Sequence, residues 1–195
     1  MLERTPTMRM IKMKMLLRYL FILLAFVVTD ANTSVIGATG GYYSLDAKND
    51  SSSNNISNLG AYRIFFIHEI KSTLSINIGY NIIFEKILTG DSSFGFDLGV
   101  NYFHFGSSNT KKSKIGNIDI KVIQDWSPYV GFSFNQRQYQ SIRSAYSGFG
   151  VIIGGMKSLM NKMNLILEGR YVSLTGATSS SATELTFQTG IGYEY

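Results

Sequence analysis

The sequence predicts an all-β protein, an antiparallel up-and-down transmembrane β-barrel, and three observations carry that reading. After residue 34 apolar and polar side chains alternate with a period of two in one segment after another. The polar positions hold Gly, Ser, Thr, Asn and Gln far more often than Lys or Glu. Beyond residue 31 no apolar run is long enough to cross a bilayer as a helix.

Composition narrows the field further. The 195 residues include no cysteine, 2 prolines, 19 glycines, 13 Phe and 12 Tyr, and 16% are charged. A disulfide scaffold, a thiolate metal site and a thiol enzyme are excluded, and the aromatic content argues against disorder. The length fits one domain. Most of the formal charge of +5 sits in residues 1–31, where Arg4, Arg9, Lys12, Lys14 and Arg18 outweigh Glu3 and Asp30. The remainder is nearly neutral and has no basic stripe interleaved with aromatics, so no nucleic-acid partner is expected.

The leader reads MRMIKMKMLLR over 8–18 and YLFILLAFVV over 19–28. A basic flank before an apolar core only half the length of a spanning helix is the pattern of a secretory signal. Residues 1–31 are therefore expected to be a signal peptide cleaved after Ala31, with the barrel in 32–195; an uncleaved anchor is the alternative.

Strand candidates then follow in order: 35–45, 59–70, 73–84, 94–105, 118–124, 128–134, 148–156, 163–174 and 185–195. The clearest places Leu74, Ile76, Ile78, Tyr80, Ile82 and Phe84 on one face against Ser75, Asn77, Gly79 and Asn81 on the other. Between them lie loop-like stretches rich in Gly, Ser, Asn and Lys, such as DAKNDSSSNNIS at 46–57. Nine candidates do not make an even barrel. Residues 117–134 keep one parity and read alternatively as a single strand, although 125–128 looks like a turn and Pro128 belongs at a strand's start or a bulge. Eight strands are expected, with ten as the alternative.

Alternation alone fits a barrel with either face inside. A water-facing sheet displays Lys, Glu and Arg to stay soluble and guard its edges, which these segments lack. An eight-stranded barrel is also too narrow to hold this many Ile, Leu, Phe and Tyr. The apolar face therefore points to lipid, and the barrel closes because an open edge in hydrocarbon leaves backbone groups unpaired. That parity places Arg63, Glu69, Asp97, Glu168, Arg170 and Glu194 in the lumen, where a network of ion pairs linking Arg63, Asp97, Glu168 and Arg170 is expected, with Asn and Gln contributing. Tyr42, Tyr43, Trp126, Tyr129, Tyr171, Tyr193 and Tyr195 are read as interfacial girdle aromatics.

The basic leader, the amphipathic strands, the segment SPYVGF at 127–132 and the terminal strand FQTGIGYEY at 187–195 resemble the small bacterial outer-membrane β-barrels of the OmpA, OmpX, OmpW and opacity-protein type. The resemblance covers the mature chain. It implies residence in the bacterial outer membrane, contact with outer-membrane lipid and lipopolysaccharide, and a last strand read by the barrel assembly machinery through Ile191, Tyr193 and Tyr195. Most relatives end in Phe where this chain has Tyr195. The expected role is structural or surface-interacting, in a monomer whose lumen is plugged. A narrow channel for small or hydrophobic solutes is the alternative, and a lipid-modifying enzyme is the less favoured one.

No catalytic residue, cofactor or metal site is predicted. His68 and His104 share the outward parity near strand ends, with no serine, acid or carboxylate cluster evident beside either. The segment NQRQYQSIRSAY at 135–146 is read as a solvated loop, with contact to lipopolysaccharide phosphates or a surface partner as the other reading.

Overall fold

The structure, a computed structural model, describes residues 33–48, 53–86, 91–106, 110–115, 118–123, 125–140, 144–160, 162–176 and 180–195. The expected leader and its cleavage site lie outside the described residues.

Among the described residues ten strands are formed: β1 (Ser34–Lys48), β2 (Ser53–Lys71), β3 (Leu74–Lys86), β4 (Asp91–Phe103), β5 (Thr110–Ile115), β6 (Ile118–Ile123), β7 (Trp126–Tyr139), β8 (Ser144–Met160), β9 (Met163–Gly176) and β10 (Ser181–Glu194). Eight of them close an antiparallel barrel in the order β1-β10-β9-β8-β7-β4-β3-β2, while β5 and β6 form a separate two-stranded sheet. The eight-stranded count is therefore right for the barrel. The candidate at 118–124 is β6 and stands outside it, and residues 117–134 do not form one strand. A bend at Asp125 separates β6 from β7, and Pro128 lies near the start of β7, where a missing N–H disturbs the ladder least.

Both chain ends of the barrel, Ser34 and Glu194, lie at one rim, termed here the terminal end. Closure is direct: β1 pairs with β10 from Val35↔Glu194 to Lys48↔Ser181 and with β2 on its other side. Two short connections lie at the terminal end, a turn at Ser72–Thr73 and the link between β8 and β9, where Lys162 takes a left-handed φ of 68°. The excursion 104–125, carrying β5 and β6, leaves the barrel at the same end. At the far end the connections 49–52, 87–90, 140–143 and 177–180 are four residues each. The strands thus consume most of the sequence expected as loops, and β1, β2 and β8 run 15, 19 and 17 residues. A tilted bilayer crossing uses about 9–11.

Along mid-strand the apolar residues stand outside. Phe94, Phe96, Leu98, Val100 and Tyr102 of β4 are exposed, whereas Ser93, Asp97 and Asn101 between them are buried. The same holds for Val130, Phe132 and Phe134 against Ser133 and Asn135 on β7.

Candidate functional site

The inward side chains sort into three layers along the barrel axis. The middle layer is ionic. Asp97, on β4, is fully buried and accepts four charge-assisted or amide bonds: from Arg63 Nε at 3.0 Å, Arg137 Nη1 at 2.8 Å, Arg170 Nη1 at 2.6 Å and Asn81 Nδ2 at 2.8 Å. Arg137 turns its other edge to Glu184, in a two-bond fork of 2.9 and 3.0 Å. Arg170 also donates to Glu168, which accepts from Tyr129 Oη at 2.8 Å. Arg63 continues to Asn77 at 3.3 Å, and Asn77 donates to Asn101 at 2.6 Å. Three guanidinium groups thus meet the three carboxylates of Asp97, Glu168 and Glu184, all buried. Buried charges survive only when paired and hydrogen-bonded in this way, since removing one member strands its partners in low dielectric.

Glycine makes room for these bulky ions. The Arg63 guanidinium lies across Gly79 and the Arg137 side chain across Gly95, where a Cβ would collide with them. Each glycine faces its arginine from the neighbouring strand, so the wall is thinned where the cluster is thickest.

On either side of the ions apolar side chains gather among buried polar ones, Ser75, Asn101, Ser127 and Asn164 toward the terminal end and Glu85 and Ser93 toward the far end. Toward the terminal end lie Val35, Phe65, Ile67, Phe103, Ile152 and Ile166, with Phe103 and Tyr129 in ring contact at 5.0 Å. Toward the far end lie Tyr43, Leu45, Ala47, Tyr139, Val172 and Leu174. Tyr139 donates to Glu184 at 3.1 Å and packs edge-on against Tyr146, whose hydroxyl reaches the Lys48 carbonyl at 3.0 Å. At this level the outer face changes as well: Asp46, Gln138, Ser147, Ser173, Thr175, Ser181 and Thr183 are exposed where the middle of the wall shows Phe and Val.

No protein-family profile and no curated protein matches the sequence. Solved structures do. Neisserial surface protein A superposes with a TM-score of 0.51 at 13% identity, over 84% of this chain and 97% of that one. The N-terminal β-barrel domain of Pseudomonas aeruginosa OprF gives 0.51 at 8% identity, over 84% and 98%. This chain has the fold of the small eight-stranded outer-membrane β-barrels.

Within that outer-membrane-type barrel the predicted residues fall as follows. Arg63, Asp97, Glu168 and Arg170 come together in the middle layer. Glu69 does not join them: it shares their parity but stands six residues further along β2, half-buried near a register shift at the terminal end. Glu194 is likewise at the rim, with Asn164 at 3.5 Å. Tyr42, Trp126 and Tyr171 face outward, as do Ile191, Tyr193 and Tyr195. Tyr43 and Tyr129 are corrections to the girdle: each has inward parity, Tyr129 is only 3% exposed, and its hydroxyl serves Glu168.

Three inward residues of this outer-membrane-type barrel were missing from the sequence-derived network: Arg137, Tyr139 and Glu184. The segment 135–146 is not the loop it resembles, because β7 continues to Tyr139 and β8 resumes at Ser144. Extending the parity of Gly131 and Ser133 by three steps would have placed Arg137 and Tyr139 inside. His68 holds a further surprise. The β1–β2 register sets Ser34 opposite it, and Ser34 Oγ and His68 Nδ1 are 2.8 Å apart, both buried on the outward parity, with Phe66 stacked on the imidazole. Among the described residues no three His, Cys, Asp or Glu side chains converge as a metal site.

Proposed function

We propose that this protein is a bacterial outer-membrane barrel whose lumen is closed to ions and water, and that it acts as a structural or surface-interacting wall rather than as a channel or enzyme. The observation that carries the reading is the layering of the lumen. A neutralised ionic cluster flanked by two clusters of buried apolar side chains fills the lumen, and side chains packed and paired in this way leave an ion little to replace its hydration. The burial of His68 against Ser34, with Phe66 stacked on its ring, suits a packing role for that histidine.

The exposed mid-wall aromatics and aliphatics are suited to lipid tails, and an outer groove of about 1050 Å³ bordered by Tyr42, Leu59, Trp126, Leu167 and Phe187 suits an acyl chain. Residues 1–31 would export the chain, Ile191, Tyr193 and Tyr195 would present the last strand to the assembly machinery, and the polar far rim would meet lipopolysaccharide. The protein is read as a monomer without cofactor.

Reconstitution tests this. In planar bilayers and liposome-swelling assays the folded protein is expected to leave conductance and solute flux at the lipid baseline. Steady unit conductance from heat-modifiable, folded protein would instead establish the channel reading.

A further inference from the structure

The outward wall of β7, β8, β9 and β10 is neutral along almost its whole length. Among the described side chains of outward parity on these four strands, Lys157 alone carries a charge. It is half-buried, and its Nζ lies 5.8 Å from the ring of Trp126, within reach of the ring's negative face. Register sets the two residues directly opposite each other, at the terminal ends of β7 and β8. Asp125, exposed at the bend before β7, makes no ion pair with Lys157 among the described residues. Trp126 also borders the outer groove of about 1050 Å³, together with Ile153, Gly155, Leu167, Gly169 and Phe187, and a volume of this order houses small ligands. Its floor is low for a local reason. A Cβ at Gly155 would stand 3.3 Å from the Trp126 ring and one at Gly169 3.4 Å from the Phe187 ring, so each ring lies over bare backbone of the neighbouring strand. An aromatic laid over glycine takes relief out of the wall and leaves an apolar trough. Lys157 stands two residues beyond Gly155 on the same face, so its ammonium sits beside the trough at the Trp126 end.

We propose that this groove is a phospholipid site: an acyl chain of a lipid from the leaflet at the terminal end lies in the trough over Gly155 and Gly169, and the lipid's phosphate is met by Lys157. The proposal deepens the acyl-chain reading given above and rests on the membrane-spanning reading. Charge complementarity selects this occupant. A single cation beside an apolar trough matches an amphiphile that carries one anionic group at the head of a hydrocarbon chain. Tryptophan settles at the headgroup level of a bilayer, and lysine lays its stem on apolar surface while its ammonium reaches that level, so the Trp126–Lys157 pair marks where the phosphate belongs. A lysine near a membrane surface draws anionic lipid by about fivefold. The site is therefore expected to prefer phosphatidylglycerol over zwitterionic phosphatidylcholine.

Trp126 is the chain's one tryptophan, so the site carries its own fluorescent reporter. Full-length protein, its folding checked by heat-modifiable mobility, is placed in phosphatidylcholine vesicles holding a minor fraction of lipid brominated on its acyl chains, either phosphatidylglycerol or phosphatidylcholine. At equal fractions the brominated phosphatidylglycerol is expected to quench Trp126 as though enriched about fivefold. Lys157→Gln should bring it level with phosphatidylcholine, and Lys157→Arg should keep the preference. Gly169→Leu fills the trough at a point where the added Cβ meets the Phe187 ring and a backbone oxygen at ordinary contact distance; it should lower quenching by phosphatidylglycerol with the lysine still in place. Equal quenching of the unaltered protein by the two lipids overturns the proposal, as does a preference that survives both Lys157→Gln and Gly169→Leu. Protection of Trp126 from both lipids overturns it too, by putting protein over the groove. A Leu98→Trp reporter in a Trp126→Phe background reads the wall away from the groove, where Leu98 is 42% exposed. Quenching there is expected to be equal for the two lipids, and the same preference at that position would overturn a site at the groove. If neither brominated lipid quenches the Leu98→Trp reporter, the spanning reading itself falls.

Discussion

The middle and the far end of this barrel are built on the same eight strands with opposite chemistry. In the middle, Phe132 and Leu98 face out while Asp97 and Asn135 face in; two turns along, Thr183, Ser173 and Gln138 face out while Leu174, Tyr139 and Leu45 face in. Strand pairing is indifferent to the exchange. In the proposed membrane setting the solvent around each level selects it: hydrocarbon outside asks for an apolar wall and tolerates ions within, whereas water outside asks for hydroxyls and amides and leaves the interior to hydrophobic burial. On the membrane-spanning reading proposed above, the far third of the molecule is a water-type barrel that continues a membrane-type one.

Substitutions chosen from the two levels sharpen that contrast. The largest effect is expected from Asp97→Asn, which leaves Arg63, Arg137 and Arg170 with a deficit of negative charge in the buried middle layer. Loss of one member of such a cluster costs about 3–5 kcal/mol, read as a lower urea midpoint of the heat-modifiable folded band; an unchanged midpoint would show that the cluster is wet. At the far end Leu45→Ala removes a fully buried side chain and should cost about 2–5 kcal/mol, as in a soluble core. If that region lay in hydrocarbon with a watery interior, the loss would be near zero in the same titration.

Charges placed outside separate the levels further. Phe132→Arg, mid-wall and 55% exposed, is expected to destabilise the protein in vesicles by about 2–4 kcal/mol, as arginine does near the bilayer midplane. Thr183→Arg, exposed near the far rim, should stay within about 0.5 kcal/mol, and equal penalties for the two would erase the proposed boundary. Gly79→Ala is the mildest of the middle-layer changes. Its methyl group displaces the Arg63 guanidinium at about 1–3 kcal/mol, with a Gly79→Ala and Arg63→Ala cycle expected to be non-additive.

Legibility in the sequence follows the same division. In the middle the two faces differ so sharply that Arg63, Asp97, Glu168 and Arg170 could be assigned inward from parity alone. Near the far end the contrast fades: with Gln136 and Gln138 outside, the alternation past Phe134 looks like a loop, so Arg137 and Tyr139 were lost with it. Glu184 shares the polar parity of Thr186, Gln188 and Glu194 in the last strand, but parity does not reveal that it meets Arg137 across the lumen. Tyr43 and Tyr129 were misassigned because residue type was allowed to outrank parity. The Ser34–His68 pair depends on a strand register that spans 34 residues, which periodicity within one strand does not encode. The β5–β6 ribbon was half visible, as the surplus candidate at 118–124.

The brevity of the far connections has its own consequence. Ladder pairing reaches Lys48↔Ser53 and Tyr139↔Ser144, leaving four residues to cross each of those tips. A protease needs an unpaired, extended stretch to seat in its cleft, and antibodies find most of their grip on long protruding segments. If the far end faces outward as proposed, connections of four residues give a protease little unpaired chain to seat, and shaving of intact cells is expected to leave the protein whole.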